Sequence, residues 1–263
     1  MCLQTKIVKF LLLSTLAVAA TAVVSLMKSN NNPSAFTFQK INSISRQQKD
    51  ANERMPVAVY STGDPSDPKE RALRRARNGR YDKRYSQTFE ELRPDTKMRS
   101  IMSDWGLDLP ALPTAHSDAI VLGEVTDSKA YLSNDKTGAY SEFVIQIREV
   151  LKNDSRLSSG LVIVEREGAA VQLPDSRIVE YRIIGQGMPH IGGRYILFLK
   201  YNNDETQDYH LVTAYELRNG YVLPLDEIGQ FTTYKKADEK YFLNAVHAAV
   251  ANPPKAPERR LDQ

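Results

Sequence analysis

Between Asp118 and Leu225 the sequence takes on the period of β-strands, and this limits the fold more than any other feature. "AIVLGEVTDSKAYLS" is rich in β-branched residues and leads into the turn "NDKTG". "AYSEFVIQIREVLK" then alternates, with Phe143, Ile145 and Ile147 on one side and Glu142, Gln146 and Arg148 among the others. Such alternation buries one face of a strand. The phase slips after Arg148, so that Val150 and Leu151 follow Glu149. A one-residue slip is what a β-bulge produces, and bulges curl a sheet toward closure. "SSGLVIVEREG" reads as a third strand, "GAAVQLPDSRIVEYRIIG" as two short ones around Pro174-Asp175, and "GGRYILFLKYN" as an apolar central strand. Asn219-Gly220 between strand-like runs is a two-residue hairpin signal. Seven or eight short strands at regular spacing predict a barrel or sandwich rather than a parallel βαβ sheet. Cys2 is the only cysteine, so no disulfide within the chain supports this fold and the core must hold it.

The residues before the strands read differently. Lys6 and Lys9 precede an uncharged, largely apolar run from Phe10 to Met27, and Lys28 with an Asn-rich tract ends it. That is the layout of a secretory signal peptide or of a transmembrane anchor. Ala17-Val18-Ala19 and Ala20-Thr21-Ala22 offer small-x-small cleavage sites, and Val23 to Met27 prolong the apolar run past them. Cys2 lies before the run, where a lipoprotein cysteine does not stand. Residues 29–65 are rich in Asn, Ser and Gln and read as a flexible tether. Ser66 or Asp67 can cap a short helix with Pro68 in its first turn, Glu70 early and Gly79 near its end. Eleven Lys and Arg between Lys69 and Arg99 face five acids, which reads as a solvated basic helix before it reads as a nucleic-acid patch or a lipid-headgroup contact. A second helix is expected from Asp95, with Met98, Ile101, Met102 and Trp105 on its apolar face. "KKADEKYFLNAVHAAVAN" predicts a last helix with Tyr241, Phe242, Ala245, Ala248 and Ala249 facing the body of the protein.

Charge follows the same division. Residues 1–109 hold 18 Lys and Arg against 11 Asp and Glu, whereas residues 110–230 hold 11 against 17. The acidic balance of the strand-rich part opposes nucleic acid as a partner, because phosphate contacts need Lys and Arg.

On "SDAIVLGEV", "YSEFVIQIREVLKND", "GLVIVEREG" and "GQGMPHIGGRYILFLKY", the segment from about Ala115 to Leu225 resembles a recurring bacterial OB-like β domain. More distantly it resembles the netrin-like module of tissue inhibitors of metalloproteinases. The layout of export signal, basic stretch and this domain resembles bacterial envelope proteins of unassigned role. These likenesses imply an OB-like or netrin-like β-barrel of about six to eight strands, and a place rather than an activity. The inhibitors use an N-terminal cysteine on a target metal, and this domain has no cysteine to do so. The expected organisation is a signal peptide or anchor at 1–28, a flexible tether at 29–65, a basic helical region at 66–109, an OB-like barrel at 115–226, a docking helix at 235–251 and a disordered tail at 252–263.

The sequence offers no catalytic residue, no cofactor motif and no metal signature. There is no H-x-x-x-H or C-x-x-C pair, no G-x-S-x-G elbow and no Walker pattern. "GQGMPHIGG" opens a strand rather than a helix, so it reads as a loop needing positive φ and close backbone approach, not as a phosphate cradle. Glu165, Arg166, Glu167, Glu180, Asp226 and Glu227 read as the wet face of a sheet before they read as an acid/base pair. Trp105 reads as packing. The residues that remain as binding candidates are His190, Arg194, Tyr181 and Tyr195, around the glycine loop and the later tyrosines. The expected protein is therefore a non-enzymatic interaction module outside the cytoplasm. Its expected partner is a protein or glycan of the cell envelope, with the membrane reached through the N-terminal segment and no nucleic acid bound. A hydrolase using a carboxylate pair and a protease-inhibitor-like module are the alternatives.

Overall fold

A computed structural model describes residues 55–157 and 160–253. The export segment, most of the 29–65 tether and all but the start of the 252–263 tail lie outside the described residues. The protein is mainly β, with two sheets and a C-terminal helix.

The larger sheet has six strands: β3 (Ala119–Leu132), β4 (Ala139–Lys152), β5 (Leu161–Glu167), β8 (Arg194–Tyr201), β9 (Tyr209–Arg218) and β10 (Tyr221–Pro224). Their order is β10-β9-β5-β4-β3-β8, and β8 pairs with β9 as well, so the sheet folds back until it nearly closes. The curl is local in origin. The β3–β4 ladder slips register at Ile120/Val121, Leu122/Gly123 and Val125/Asp127, and the first two slips leave Leu151 and Arg148 without partners on either side of Glu149. Each slip bends and twists the strands. Inside lie Phe143, Ile145, Val164, Leu197 and Leu199, with Ile147 packed against them. Burying each of these side chains stabilises the fold by about 1.5–3 kcal/mol. The weakest seam is the parallel pairing of β5 with β9, which has two residue pairs, Val164 with Tyr209 and Glu165 with His210.

The short strands around Pro174-Asp175 do form, but not in this sheet. β6 (Ala169–Gln172) and β7 (Ile178–Ile183) build a second, four-stranded sheet with β1 (Val57–Val59) and β2 (Met98–Ile101), in the order β1-β6-β7-β2. This changes two expectations. Val57–Val59, read as tether, pairs in parallel with β6. The helix expected from Asp95 is instead β2, parallel to β7. Met98 and Met102 are exposed, while Arg99 between them is buried and donates to the carbonyls of Gln87, Thr88 and Thr137. The apolar spacing looked helical, but a sheet edge supplied by β7 overrode it.

The terminal elements match their local signals more closely. Helix α1 (Pro68–Gly79) is capped by Asp67, whose side chain accepts from the Glu70 N–H. Asn219 and Gly220 both have positive φ and turn β9 into β10. Helix α2 runs Glu239–Ala251 from an Asp238 cap. It buries Phe242 and Val246 against Ile196, Phe198 and Tyr215 on the outer face of β8 and β9. Tyr241 and Ala248, expected on its inner face, are exposed.

The glycine loop between β7 and β8 serves close packing. Gly185 and Gly192 have positive φ, and a Cβ on Gly187 would stand 2.0 Å from the Leu225 carbonyl oxygen. Gly187→Ala is therefore expected to destabilise the fold by about 1–3 kcal/mol, read as an earlier midpoint in denaturant unfolding.

Candidate functional site

Helix α1 buries none of its side chains, so apolar packing does not hold it in place. Its attachment is ionic. Arg74, Arg77 and Arg80 recur every three residues and so share one face. That face lies on β4, β5 and the loop between β8 and β9. The Arg74 guanidinium donates twice to Glu142 of β4, at 2.5 and 3.2 Å, and once to the Tyr140 hydroxyl at 2.8 Å. Arg77 Nε donates to Asp208 Oδ2 at 2.6 Å. Arg80, just beyond the helix, makes ion pairs with Glu165 at 2.5 Å, Asp204 at 2.7 Å and Asp208 at 3.0 Å. Glu165 and Asp208 are both buried, at 2% and 5% exposure. The carboxylates are thus not the wet face of a sheet, and the basic helix is not simply solvated. The charge split along the sequence is in part an internal complementarity.

Asn202 organises the far end of this row. Its amide N–H donates to Glu165 Oε1 at 2.8 Å and to Asp208 Oδ1 at 2.9 Å. Its carbonyl must then accept from His210 Nδ1 at 2.9 Å, which fixes the imidazole tautomer. Burial, followed by the Arg80 and Lys200 charges, lowers the His210 pKa. The two carboxyls are driven apart. Burial, with the Asp208 charge next, raises Glu165 to about 7. Burial also pushes Asp208 upward, but the Asn202 hydrogen bond, the Arg80 charge and Thr206 outweigh it, and its pKa is lowered. Asp208 accepts from Arg77, Arg80, Asn202 and Thr206. Three of these donors fall on Oδ1 and Arg77 alone on Oδ2, so the carboxylate is fixed in place by its neighbours.

Beside this row lies a cleft of about 410 Å³, lined by Arg80, Tyr81, Trp105, Glu165, Arg166, His210 and neighbours. It sits where the β5–β9 ladder ends at Glu165 and His210. Arg166 points from β5 into the end of the near-closed sheet, and its Nη2 donates to Asp226 Oδ1 at 2.5 Å. Asp226 also accepts from Thr213 Oγ1 at 2.7 Å and the Gly187 N–H at 2.9 Å. Trp105 stacks on Phe231 with ring centroids 6.1 Å apart, and the Arg166 guanidinium stands 5.2 Å from the indole on the same side chain. A larger cavity of about 550 Å³ lies among β1, α1 and the β3–β4 turn, but its arginines are committed, Arg74 to Glu142 and Arg75 to Asp64.

The four binding candidates read from the sequence do not converge on the cleft. Tyr181 is buried in the core of the four-stranded sheet and donates to Glu167 at 2.6 Å. Tyr195 is buried inside the six-stranded sheet, and its hydroxyl accepts from the His190 N–H at 3.2 Å. His190 Nε2 faces Glu216 at 3.1 Å, and chiefly this hydrogen bond raises its pKa. Arg194 is paired with Glu239 of α2 at 2.7 Å. The residues that do converge, Arg80, Trp105, Glu165, Arg166, Asn202 and His210, were legible only as an arginine row and a scatter of acids. Among the described residues no group of three or more His, Cys, Asp or Glu is placed to hold a metal ion. No family model, curated protein or solved structure matches this chain.

Two measurements check this arrangement. Replacing Arg80 by Met leaves Glu165 and Asp208 without their shared cation and is expected to cost about 3–5 kcal/mol of unfolding free energy, with little recovery in Arg80→Lys because a lysine cannot span three carboxyls. The raised Glu165 pKa means that the folded protein holds a proton the unfolded chain has released between about pH 4.5 and 7. Stability from this group therefore falls as pH rises through that window, by roughly 3–4 kcal/mol. The stability of Glu165→Gln relative to the parent is expected to rise from pH 5 to pH 8. Taking the difference removes the overlapping titrations of His190 and His210, and a flat difference contradicts the assignment.

Proposed function

We propose that this chain is an exported or membrane-anchored, non-enzymatic binding module of the bacterial cell envelope, built on an OB-like β-barrel. The strand circuit supports the barrel reading. Running β3-β4-β5-β9-β8 and back to β3, it is antiparallel throughout except for the β5–β9 join. A five-stranded, partly open Greek-key barrel of this kind binds ligands on the face of its second and third strands and on two adjoining loops. Here that face is β4 and β5, and the loops are 133–138 and 202–208. α1 covers much of it through the arginine row, which leaves the cleft at the β5–β9 seam as the part still open.

The observation that carries the binding reading is the state of the charged groups. Asp208 is held by Arg77, Arg80, Asn202 and Thr206 and does not line the cleft, while Glu167, which does, is paired with Arg84 and accepts from Tyr181, so each carboxyl near Glu165 is already engaged by the protein. Paired carboxyl chemistry needs one group to deliver a proton while the other stays free to act. The hydrolase alternative draws on the opposed shifts of Glu165 and Asp208, and meets this obstacle. The envelope location draws on the basic-then-apolar N-terminus, "KIVKFLLLSTLAVAATAVVSLMK".

Fractionation of bacteria expressing the tagged full chain is expected to place it with the envelope. Incubated with isolated envelope polymer, it is expected to cosediment without releasing soluble fragments. A cytosolic distribution contradicts the location. Fragment release that disappears in Glu165→Gln replaces the binding reading with a hydrolytic one.

A further inference from the structure

The cleft at the β5–β9 seam holds hydrogen-bonding groups that the protein itself does not satisfy. The Arg166 side chain is 2% exposed, and while its Nη2 is held by Asp226, its Nε and Nη1 have no hydrogen-bond partner within the protein. Trp105 Nε1 is buried and likewise without a partner. Each buried polar group left unpaired costs about 1–3 kcal/mol. Three such atoms on two side chains lining one cleft are costly unless something outside the protein pairs with them.

Their chemistry describes the occupant. All three atoms are N–H donors, so the occupant must present acceptor oxygens to them. Charge in the cleft is balanced: Arg80, Arg84 and Arg166 stand against Glu165, Glu167 and the Asp226 held on Arg166. A net anion or cation gains little there from electrostatics. Phe231 and Arg166 already stand at the indole ring, so Trp105 offers its N–H edge rather than a stacking platform. At about 410 Å³ the space falls in the range of small-ligand sites. A neutral polyhydroxyl compound, whose hydroxyls each accept and donate, fits all of these conditions. We infer that this cleft binds one saccharide unit, held by hydrogen bonds to Arg166 and Trp105. The inference rests on the binding-module reading and gives that module its ligand class.

Trp105 is the only tryptophan in the chain, so intrinsic fluorescence and the single indole N–H resonance both report on the cleft. The full chain in detergent is titrated with N-acetylglucosamine, glucose, acetate and methylammonium. The expected result is a saturable change with a neutral sugar and a downfield shift of the indole N–H, with no saturation by either ion. Trp105→Phe keeps the ring packing and removes the donor. It is expected to weaken sugar binding roughly three- to tenfold by calorimetry, the value of one neutral hydrogen bond. Saturation by acetate or methylammonium and not by sugar overturns the ligand class. A sugar response that leaves the indole N–H unmoved overturns the site, and the absence of any saturable response overturns the inference. If the chain fractionates with the envelope and binds no sugar, this inference alone fails. If it binds sugar but is cytosolic, the proposed location alone fails.

Discussion

The placement of α1 depends on the arginine row that meets buried carboxylates. A helix with no fully buried side chain gains little from the hydrophobic effect, and isolated helices of this length are marginal in water. Arg74, Arg77 and Arg80 supply the missing attachment because Glu142, Glu165 and Asp208 are themselves removed from water. The dependence is mutual. Taking those carboxylates into the sheet without partners is prohibitive, so the strands need the helix as much as the helix needs the strands.

A consequence reaches from packing to function. The guanidinium row covers part of the outer face of β4 and β5, and it neutralises much of the charge that read in the sequence as a solvated basic helix. What remains open is the seam where β5 and β9 stop pairing. There Arg166 and Asp226 form an ion pair across the end of the sheet, and the protein leaves part of Arg166 and Trp105 unpaired. Binding is thus expected where the sheet fails to close, because sheet closure elsewhere consumes the backbone and side-chain groups that a ligand would need.

The second sheet shows how little of topology is local. β6 and β7 follow directly on β5, yet they turn away from the six-stranded sheet to pair with β1 and β2. Both outer partners are short and belong to segments with weak patterning of their own. Their pairing is decided by the edges β6 and β7 present, together with Phe89, Val171, Val179 and Tyr181 packed beneath.

By itself the sequence determined the strand period from Asp118 onward, the bulged register around Glu149, the capped helix after Asp67, the Asn219-Gly220 turn and the close approach in the glycine loop. Each of these is a local matter of side-chain alternation, φ preference or capping, which neighbouring residues settle among themselves. Only the tertiary structure decided that β1 and β2 are strands, that Glu142 and Glu165 are buried, and which residues meet at the cleft. Arg80 and Glu165 stand on either side of β3 and β4 in the sequence, and Trp105 and Phe231 at opposite ends of the strand-rich segment. Contacts between residues so far apart leave no period in the sequence, because their geometry is set by how the sheets fold over one another.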